Sequence, residues 1–395
     1  MEWKEVTLGD FMQCNPKRTI KKGQKARKIT MDLLIPHSKT IRNWNYEPYS
    51  GGAKFQNGDT IMARITPCLE NGKHAFVSIL NKGEIAYGST EYFVFCGKED
   101  VSDNDFVYYL TKTPLFRDTA IKSMVGSSGR QRAQMDVLEN LKMLVPKDIS
   151  DQRRIASILS SLDRKIELNN KINAELEEMA QTIFKNWFVD FEPFKDGQFV
   201  DSELGMIPEG WKVGTLADIA EITMGQSPAG NSLNENREGM IFYQGSSDFG
   251  FRFPSIRVFT TEPKRLAVAN SVLFSVRAPV GDINVAKEEC CIGRGVASIK
   301  SKYGHDSYLF YAMKSLHKLF DSFDGEGTVF GSINKKTLSA IQILLPSDGI
   351  VEQFNNIASS FDDRIRSLSD ENSRISTLRD TLLPRLMSGE LEVPE

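Results

Sequence analysis

A strongly basic run lies near the amino terminus of this 395-residue chain. The segment KRTIKKGQKARK (17–28) holds seven Lys and Arg residues and no acid. Cations in such a run can contact the phosphates of a nucleic acid, but a charge run can also be plain solvated surface. Both interpretations stay open from the sequence. The candidate phosphate-contacting side chains are Lys21, Lys22, Lys25, Arg27 and Lys28.

The sequence shows no catalytic motif. It has no G-x-x-x-x-G-K-[ST] phosphate loop, no G-x-S-x-G and no H-E-x-x-H. Glu262-Pro-Lys264 matches the E-x-K of some nucleases, but the Pro-Asp that precedes it in those enzymes is missing. The five cysteines form no C-x-x-C pair and the four histidines are scattered, so neither a metal site nor a disulfide framework is expected. These features favour a recognition protein over an enzyme.

The elements that would position such a site occur twice. The chain reads WKEVTLGD from Trp3 and WKVGTLAD from Trp211, and each copy is followed much later by an apolar alternating stretch that stops at a proline, NLKMLVP (140–146) and AIQILLP (340–346). Between them lie short apolar alternations, Gly and Pro turns and a few helical patterns. The sequence therefore predicts two repeated domains of mixed α/β fold.

Each domain is followed by a helical pattern with apolar residues at alternating steps of three and four. The two patterns share one offset of 199 residues, which predicts an antiparallel coiled coil around a pseudo-two-fold axis. A surface helix packing on its own domain is the alternative. The predicted seam consists of Leu162, Ile166, Asn173, Leu176, Ile183, Phe361, Ile365, Asn372, Ile375 and Leu382. Asn173 and Asn372 are expected to approach one another and fix the register.

The predicted domain boundaries follow from these patterns. They are domain 1 at 1–147, spacer helix 1 at 148–190, a linker at 191–210, domain 2 at 211–347 and spacer helix 2 at 348–395. Domain 1 holds 22 Lys and Arg against 16 Asp and Glu, although the whole chain carries a net charge of −3. No apolar run approaches the roughly 20 residues of a membrane span. We expect a cytoplasmic protein.

At these repeated motifs the chain resembles the DNA-specificity subunit of type I restriction-modification enzymes. The resemblance spans nearly the whole chain and is carried by the order and duplication of its motifs. They are WKxxTLxD, RAPVGDINVAKEECCIGRG, INKKTLSAIQILLP, DQRRIASILSSLDRKIELNN, KNWFVDFEP, ELGMIPEGWKV and LLPRLMSGEL. A non-catalytic protein-binding scaffold that dimerises through its helices is the competing interpretation.

This resemblance implies a function shared with partner proteins. Each repeated domain would be a target recognition domain that reads one half of a split double-stranded DNA site. The helices would set the distance between the halves and bind two methyltransferase subunits, which carry S-adenosylmethionine and methylate adenine. Separate restriction and translocase subunits, which use ATP and Mg, would cleave the DNA. The specificity subunit itself would bind no cofactor.

Candidate base contacts in domain 1 follow a glycine loop, GSSGRQR (126–132). Arg can bind guanine, and Gln can bind adenine, through two hydrogen bonds each. Glycine lets the backbone approach a phosphate closely. An ordinary flexible surface loop is the alternative interpretation. The candidates are Gly126, Ser127, Arg130, Gln131 and Arg132.

The matching loop of domain 2, GEGTVFGS (325–332), carries no arginine. Its candidates are Thr328 and Ser332, and the absence of arginine makes an equivalent role less certain. Arg277 and Arg294, in the RAPVG turn and the GRG sequence, are alternative base or phosphate contacts. The other interpretation of that turn is purely structural. Gln244 and Ser246 in YQGSSD complete the set.

Overall fold

The computed structural model describes residues 1–127, 129–277, 279–325 and 331–393. The chain divides into two compact units. Unit 1 consists of residues 1–171 together with the chain from Leu368 onward, and unit 2 consists of residues 172–367. Each unit therefore holds one mixed α/β domain and one segment from each of two long helices.

The strands of unit 1 form three antiparallel or mixed sheets. They are β1 (Trp3–Thr7), β2 (Met12–Cys14), β3 (Lys25–Ile29), β4 (Asn45–Pro48), β5 (Lys54–Gln56), β6 (Thr60–Ala63), β7 (His74–Phe76), β8 (Ile85–Gly88), β9 (Tyr92–Gly97) and β10 (Lys142–Pro146). The sheet orders are β1-β10, β2-β9-β6-β7 and β4-β3-β8-β5. The helices are α1 (Leu8–Phe11), α2 (Asn104–Leu110), α3 (Pro114–Lys122), α4 (Met135–Glu139) and the first part of α5 (Ile149–Phe188).

Unit 2 repeats this topology. Its strands are β11 (Phe199–Val200), β12 (Ile207–Pro208), β13 (Lys212–Thr215), β14 (Ala220–Met224), β15 (Leu233–Asn234), β16 (Met240–Tyr243), β17 (Val258–Thr260), β18 (Leu266–Ala267), β19 (Val272–Ser275), β20 (Ile283–Val285), β21 (Cys290–Ile292), β22 (Val296–Ser301) and β23 (Gln342–Leu345). Its helices are α6 (Leu216–Ile219), α7 (Asp306–Ser315), α8 (His317–Gly325), α9 (Lys335–Ser339) and the first part of α10 (Asp348–Met387). The sheet orders are β11-β12, β13-β23, β14-β22-β19-β20 and β15-β17-β16-β21-β18.

The repeated sequence motifs are partners in the fold. In unit 1, Trp3 of the opening motif lies opposite Pro146 of the closing motif, and in unit 2 Lys212 lies opposite Leu345. Both domains also contain one parallel pair, β3 with β8 and β16 with β21, inside an otherwise antiparallel sheet. The predicted duplication of a mixed α/β fold is confirmed.

The T-L-x-D part of the opening motif caps a short helix in each domain. The Thr7 side chain accepts a hydrogen bond from the Asp10 backbone at 3.3 Å. In the second copy, Thr215 and Asp218 form a reciprocal capping box, and the Thr215 backbone donates to the Asp218 carboxylate at 2.7 Å. These caps satisfy backbone N–H groups that would otherwise have no partner at a helix start. The motif thus turns the chain from its first strand into α1 or α6.

The aromatic string after helix α5 packs inside unit 2. The ring centroids of Phe188, Phe191 and Phe194 lie 5.9, 5.5 and 5.2 Å from that of Trp211. Trp211 opens the second domain, so this cluster attaches the helix to the domain that follows it. Aromatic pairs at these separations add to the stabilisation that burial provides.

Helices α5 and α10 each contain 40 residues, which corresponds to about 60 Å at 1.5 Å per residue. Their segments run antiparallel in each unit. In unit 1, Asp163 contacts Arg379 and Asn169 contacts Asn372, so the numbers fall on one helix as they rise on the other. In unit 2, the Phe184 ring lies 5.4 Å from that of Phe354. No helix in the described ranges is both long and apolar enough to cross a bilayer.

The predicted seam residues are all buried or half-buried. One pairing differs from the expectation. The Asn372 amide oxygen accepts a hydrogen bond from Asn169 at 2.9 Å, and its nitrogen donates to Asn170 at 3.0 Å. Both partners lie about one turn before Asn173. The seven-residue pattern selects the buried face, whereas side-chain packing along the helices decides which residues meet.

Candidate nucleic-acid interface

The glycine loop of domain 1 is anchored at its base and open at its tip. Arg132 forms isolated bridges to Val125 and Ile65, and the Thr66 N–H donates to the Gln131 carbonyl at 3.0 Å. Gly126 has φ +131°, and a Cβ there would lie 3.1 Å from the Arg130 carbonyl oxygen, so a larger residue would strain the turn. The described residues on both sides of this loop are therefore anchored by backbone contacts.

The two arginine candidates of this loop differ in availability. Arg130 is exposed and its side chain has no hydrogen bond within the described residues. Arg132 is held by Glu91, with Nη2 2.7 Å from one carboxylate oxygen and Nε 3.0 Å from both. That bond lowers the pKa of Glu91 and keeps it charged. Arg130 is consequently the better base-contact candidate, while Arg132 fixes the base of the loop.

The other two loop candidates differ in exposure. Ser127 is exposed, and its carbonyl accepts the Arg130 N–H at 3.0 Å. Gln131 is half-buried. Ser127 therefore lies at the open tip, and Gln131 lies nearer the anchored base.

The basic run separates into two groups. Arg27 pairs with Glu84 at 3.2 Å and stacks on Trp44, 4.5 Å from the ring centroid. Lys28 pairs with Glu47 at 2.8 Å. The remaining three, Lys21, Lys22 and Lys25, are exposed and make no ion pair among the residues with described positions. Of the five candidates in the run, these three are the stronger phosphate candidates.

Gln244 and Arg294 of domain 2 both form hydrogen bonds with the Ser227 hydroxyl. The Gln244 amide exchanges hydrogen bonds with Ser227 Oγ at 3.2 and 3.4 Å, and the Arg294 N–H donates to the same oxygen at 3.3 Å. Both candidate side chains are exposed. Ser227 was missed from the sequence because GQSP carries no signal that separates it from other turns.

Arg277 and Ser332, two further candidates of domain 2, face each other across an isolated antiparallel β-bridge. The Ile333 N–H donates to the Val276 carbonyl, and the Val276 N–H donates to Gly295, both at 3.0 Å. Domain 1 has the same pair of bonds, from Ala133 to Arg64 and from Arg64 to Glu91. Ser332 therefore occupies the place of Arg132.

The other two candidates of domain 2 give less information. Ser246 is half-buried at the start of a single turn, Ser246–Asp248, and its carbonyl accepts the Phe249 N–H at 3.0 Å. Thr328 lies outside the described residues. Exposed polar side chains thus occur in both domains, and Arg132 and Ser332 take the same place in the repeat with different residue types.

A buried ionic cluster joins the second domain to both helices within unit 2. The Arg252 side chain is 3% exposed and contacts Glu177 of α5 at 3.1 Å, Asp362 of α10 at 2.7 Å and the Tyr311 hydroxyl at 2.8 Å. Lys314 also pairs with Glu177. Desolvated ion pairs with this geometry tolerate little displacement. The cluster therefore fixes the domain against its helix segments.

Unit 1 has a related cluster around Asp163. This carboxylate accepts hydrogen bonds from the Tyr109 hydroxyl and from Arg379, both at 2.6 Å. Asp163 and Asp362 are separated by the same 199-residue offset as the helix patterns. Both recognition surfaces thus sit on domains that are anchored in the same way.

Metal chemistry finds no support in the described part of the chain. No group of three or more His, Cys, Asp or Glu side chains there could hold a metal ion. The five cysteines are free thiols, and three of them are buried. Burial raises the pKa of the Cys290 thiol to about 12, which keeps it protonated.

Two similar α/β domains, each with an exposed polar edge and an ionic anchor to long helices, define a duplicated recognition protein. A model of the family "Type I restriction modification DNA specificity domain" matches residues 1–178 and 208–377. The chain belongs to this family.

Known proteins are similar over most of the chain. A type I restriction enzyme specificity subunit, MjaX, of Methanocaldococcus jannaschii is 36% identical over 262 residues, which cover 65% of this chain and 60% of that protein. The HindI specificity subunit of Haemophilus influenzae is 25% identical over 473 residues, covering 99% of this chain and 100% of that protein. The S subunit of a type I restriction-modification system from M. genitalium has the same fold, with a TM-score of 0.57, 14% identity and coverage of 98% and 96%.

Proposed function

We propose that this protein is the DNA-specificity subunit of a type I restriction-modification complex and reads a bipartite double-stranded DNA site, one half with each domain. The observation that carries the proposal is the duplicated fold, in which Arg132 and Ser332 take the same place and each domain has exposed polar side chains, Arg130 in one and Gln244 and Arg294 in the other. Such side chains can bind base edges in the major groove. Membership in the family supports the same function.

The chemistry would belong to partner subunits. Two methyltransferase subunits would carry S-adenosylmethionine and methylate adenine at the site, and restriction and translocase subunits would use ATP and Mg to cleave DNA. This chain would act as the non-catalytic reader. The antiparallel helices would serve as the spacer between half-sites and as a docking surface for the methyltransferase subunits.

The direct test of this proposal is DNA binding as a function of salt. The chain and its methyltransferase subunits are titrated with duplex DNA at several salt concentrations. For a protein that reads DNA, the logarithm of the binding constant falls linearly with the logarithm of the salt concentration, because phosphate contacts release counterions. A protein scaffold that dimerises through its helices would show no such binding, and that result would refute the proposal.

The free lysines of the basic run give one prediction. Changing Lys21, Lys22 and Lys25 to Glu should weaken binding to every DNA sequence by a similar factor. The salt slope should fall by about 3, since each lost phosphate contact removes about 0.9. Filter binding at several salt concentrations measures both quantities. The control reverses Lys4 and Lys142 of the β1–β10 sheet and Lys147 directly after β10, which changes the net charge equally and should leave the slope near its original value.

The arginines of the glycine loop give another prediction. Arg130→Ala should reduce discrimination at one base pair of the first half-site by roughly 5- to 100-fold, the range for losing a bidentate base contact. Arg132→Ala should instead loosen the loop, because the ion pair that attaches Arg132 to Glu91 is lost. Selection of bound sequences from randomised DNA separates the two. A uniform loss of affinity for all sequences in Arg130→Ala would identify a phosphate contact, not a base contact.

A further inference from the structure

A small cavity in unit 1 is lined by basic side chains. It encloses about 10 Å³, roughly the space for one water-sized occupant. Its wall is formed by the start of β7, the residues after α2, the first half of α3 and the loop before β7. Its basic residues are His37, Lys73, His74, Lys112 and Arg117. Among the described residues of this wall there is no Asp or Glu.

Lys112 is the central group of this cavity. Its Nζ is inaccessible to solvent and has no hydrogen-bond partner among the described residues. The two nearby carboxylates do not supply one. Arg379 already holds Asp163 at 2.6 Å and Asp380 at 2.8 Å. The Tyr108 ring, 5.4 Å from this nitrogen, attracts the cation but accepts no conventional hydrogen bond. A buried ammonium without a hydrogen-bond partner is unfavourable, so a ligand at this nitrogen would remove that penalty.

The neighbouring cations are not neutralised either. Lys73 donates to the Met31 carbonyl at 2.6 Å and Arg117 to the Glu70 carbonyl at 3.3 Å, and neither makes an ion pair within the described ranges. Burial, with Lys112 and Arg117 nearby, lowers the pKa of His74 well below its usual value, so His74 is neutral. Burial similarly lowers the pKa of Lys112 to about 8. Three positive charges thus surround the cavity and no carboxylate lines it, while the two nearest carboxylates, Asp163 and Asp380, already pair with Arg379.

We propose that this cavity binds one small inorganic anion of chloride size, with the Lys112 ammonium as its principal ligand and Arg117 as a second source of positive charge. A water molecule would satisfy the hydrogen bonds, but only an anion also offsets the charge. The small space favours a monatomic anion over phosphate or sulfate. The site does not depend on DNA recognition.

The anion site adjoins the base of the candidate DNA loop. Gly72 and Lys73 line the cavity, and the same loop begins near Thr66, whose N–H holds the Gln131 carbonyl at 3.0 Å. An occupant would tie this loop to Lys112 and α3. Anion binding therefore stabilises the segment that anchors Gln131 and Arg132.

Thermal unfolding of the full chain tests the proposal. Sodium chloride is exchanged for sodium gluconate at constant ionic strength. The unfolding midpoint is expected to rise with the logarithm of the chloride concentration above the dissociation constant, by roughly 3 to 6 °C at ten times that constant. Bromide should act like chloride. Lys112→Met should abolish the chloride-specific rise, whereas Lys122→Met, an exposed lysine at the end of α3, should retain it.

Crystallography locates the ion independently. Crystals grown in sodium bromide should show an anomalous peak within about 3.5 Å of Lys112 Nζ. Equal midpoints in chloride and gluconate, a peak absent from this cavity, or a full chloride response in Lys112→Met would each overturn the proposal. If Lys112→Met does not fold, half-exposed Arg117→Gln gives the same test, and a chloride response equal to that of the parent protein would count against the site.

Discussion

Replacement of Arg252 by Ala is expected to destabilise unit 2 by about 3 kcal/mol, because it leaves one buried and one half-buried carboxylate without their shared cation. Glu177 is 6% exposed and Asp362 is 23% exposed, so neither can recover full hydration in place. This value lies at the lower end of the range for breaking a buried ion pair. Lys314 still contacts Glu177, and the Tyr311 hydroxyl still donates to Asp362 at 3.0 Å. Hydrogen exchange measures the effect, with faster exchange expected for amides of unit 2.

The control for this prediction is Arg364→Ala. Arg364 is an exposed arginine on α10, the helix that carries Asp362, and its replacement should change stability by less than about 0.5 kcal/mol. A double variant tests the cause. Arg252→Ala with Asp362→Asn removes the cation together with one of its carboxylates, and it should recover part of the loss. Equal destabilisation by the single and double variants would show that packing of the Arg252 stem on Phe310, and not charge, accounts for the effect.

Lengthening both long helices should widen the gap in the recognised DNA site. Both helices pass from one compact unit to the other, between Lys171 and Ile172 in α5 and between Ser367 and Leu368 in α10. The contact between Asn169 and Asn372 puts these two points within about one turn of each other. Four residues inserted at both points add about 6 Å to each helix, and the gap should grow by one to two base pairs at about 3.4 Å per pair.

The bases read within each half-site should not change, since the insertions touch neither domain. The control places four residues after Leu204, in the exposed turn between β11 and β12, and should leave the gap unchanged. The readout is the set of sequences methylated by the complex that contains each variant. An unchanged gap with full activity in the helix variant would mean that the helices are not the spacer.

The repeat made much of the fold predictable from sequence. The paired motifs at Trp3 and Trp211 indicated a duplicated α/β domain, and the periodic stretches indicated helices close to Ile149–Phe188 and Asp348–Met387. These features depend on local propensity and on the spacing of apolar residues, which a sequence displays directly. The sequence did not indicate that each helix contributes to both compact units. That division depends on which residues pack together across long separations.

The polar contacts of the site were less predictable. Arg132 is held by Glu91, 41 residues earlier, and Arg252 joins carboxylates 75 and 110 residues away. No local pattern predicts such contacts, because they depend on how separate elements pack. Within one loop, therefore, the sequence could not distinguish Arg130, which is exposed, from Arg132, which is held internally. It identified the loop but not the role of each side chain.

Mapping methylated adenines in cells that express this chain with its methyltransferase subunits is the most direct test of the proposed function. Two independent reading domains predict one bipartite motif, with two short specified halves separated by a gap of fixed length and unspecified sequence. Exchange of residues 211–347 for the corresponding domain of a relative should change one half only. A continuous motif without a gap, or a change in both halves after this exchange, would contradict reading by two separate domains.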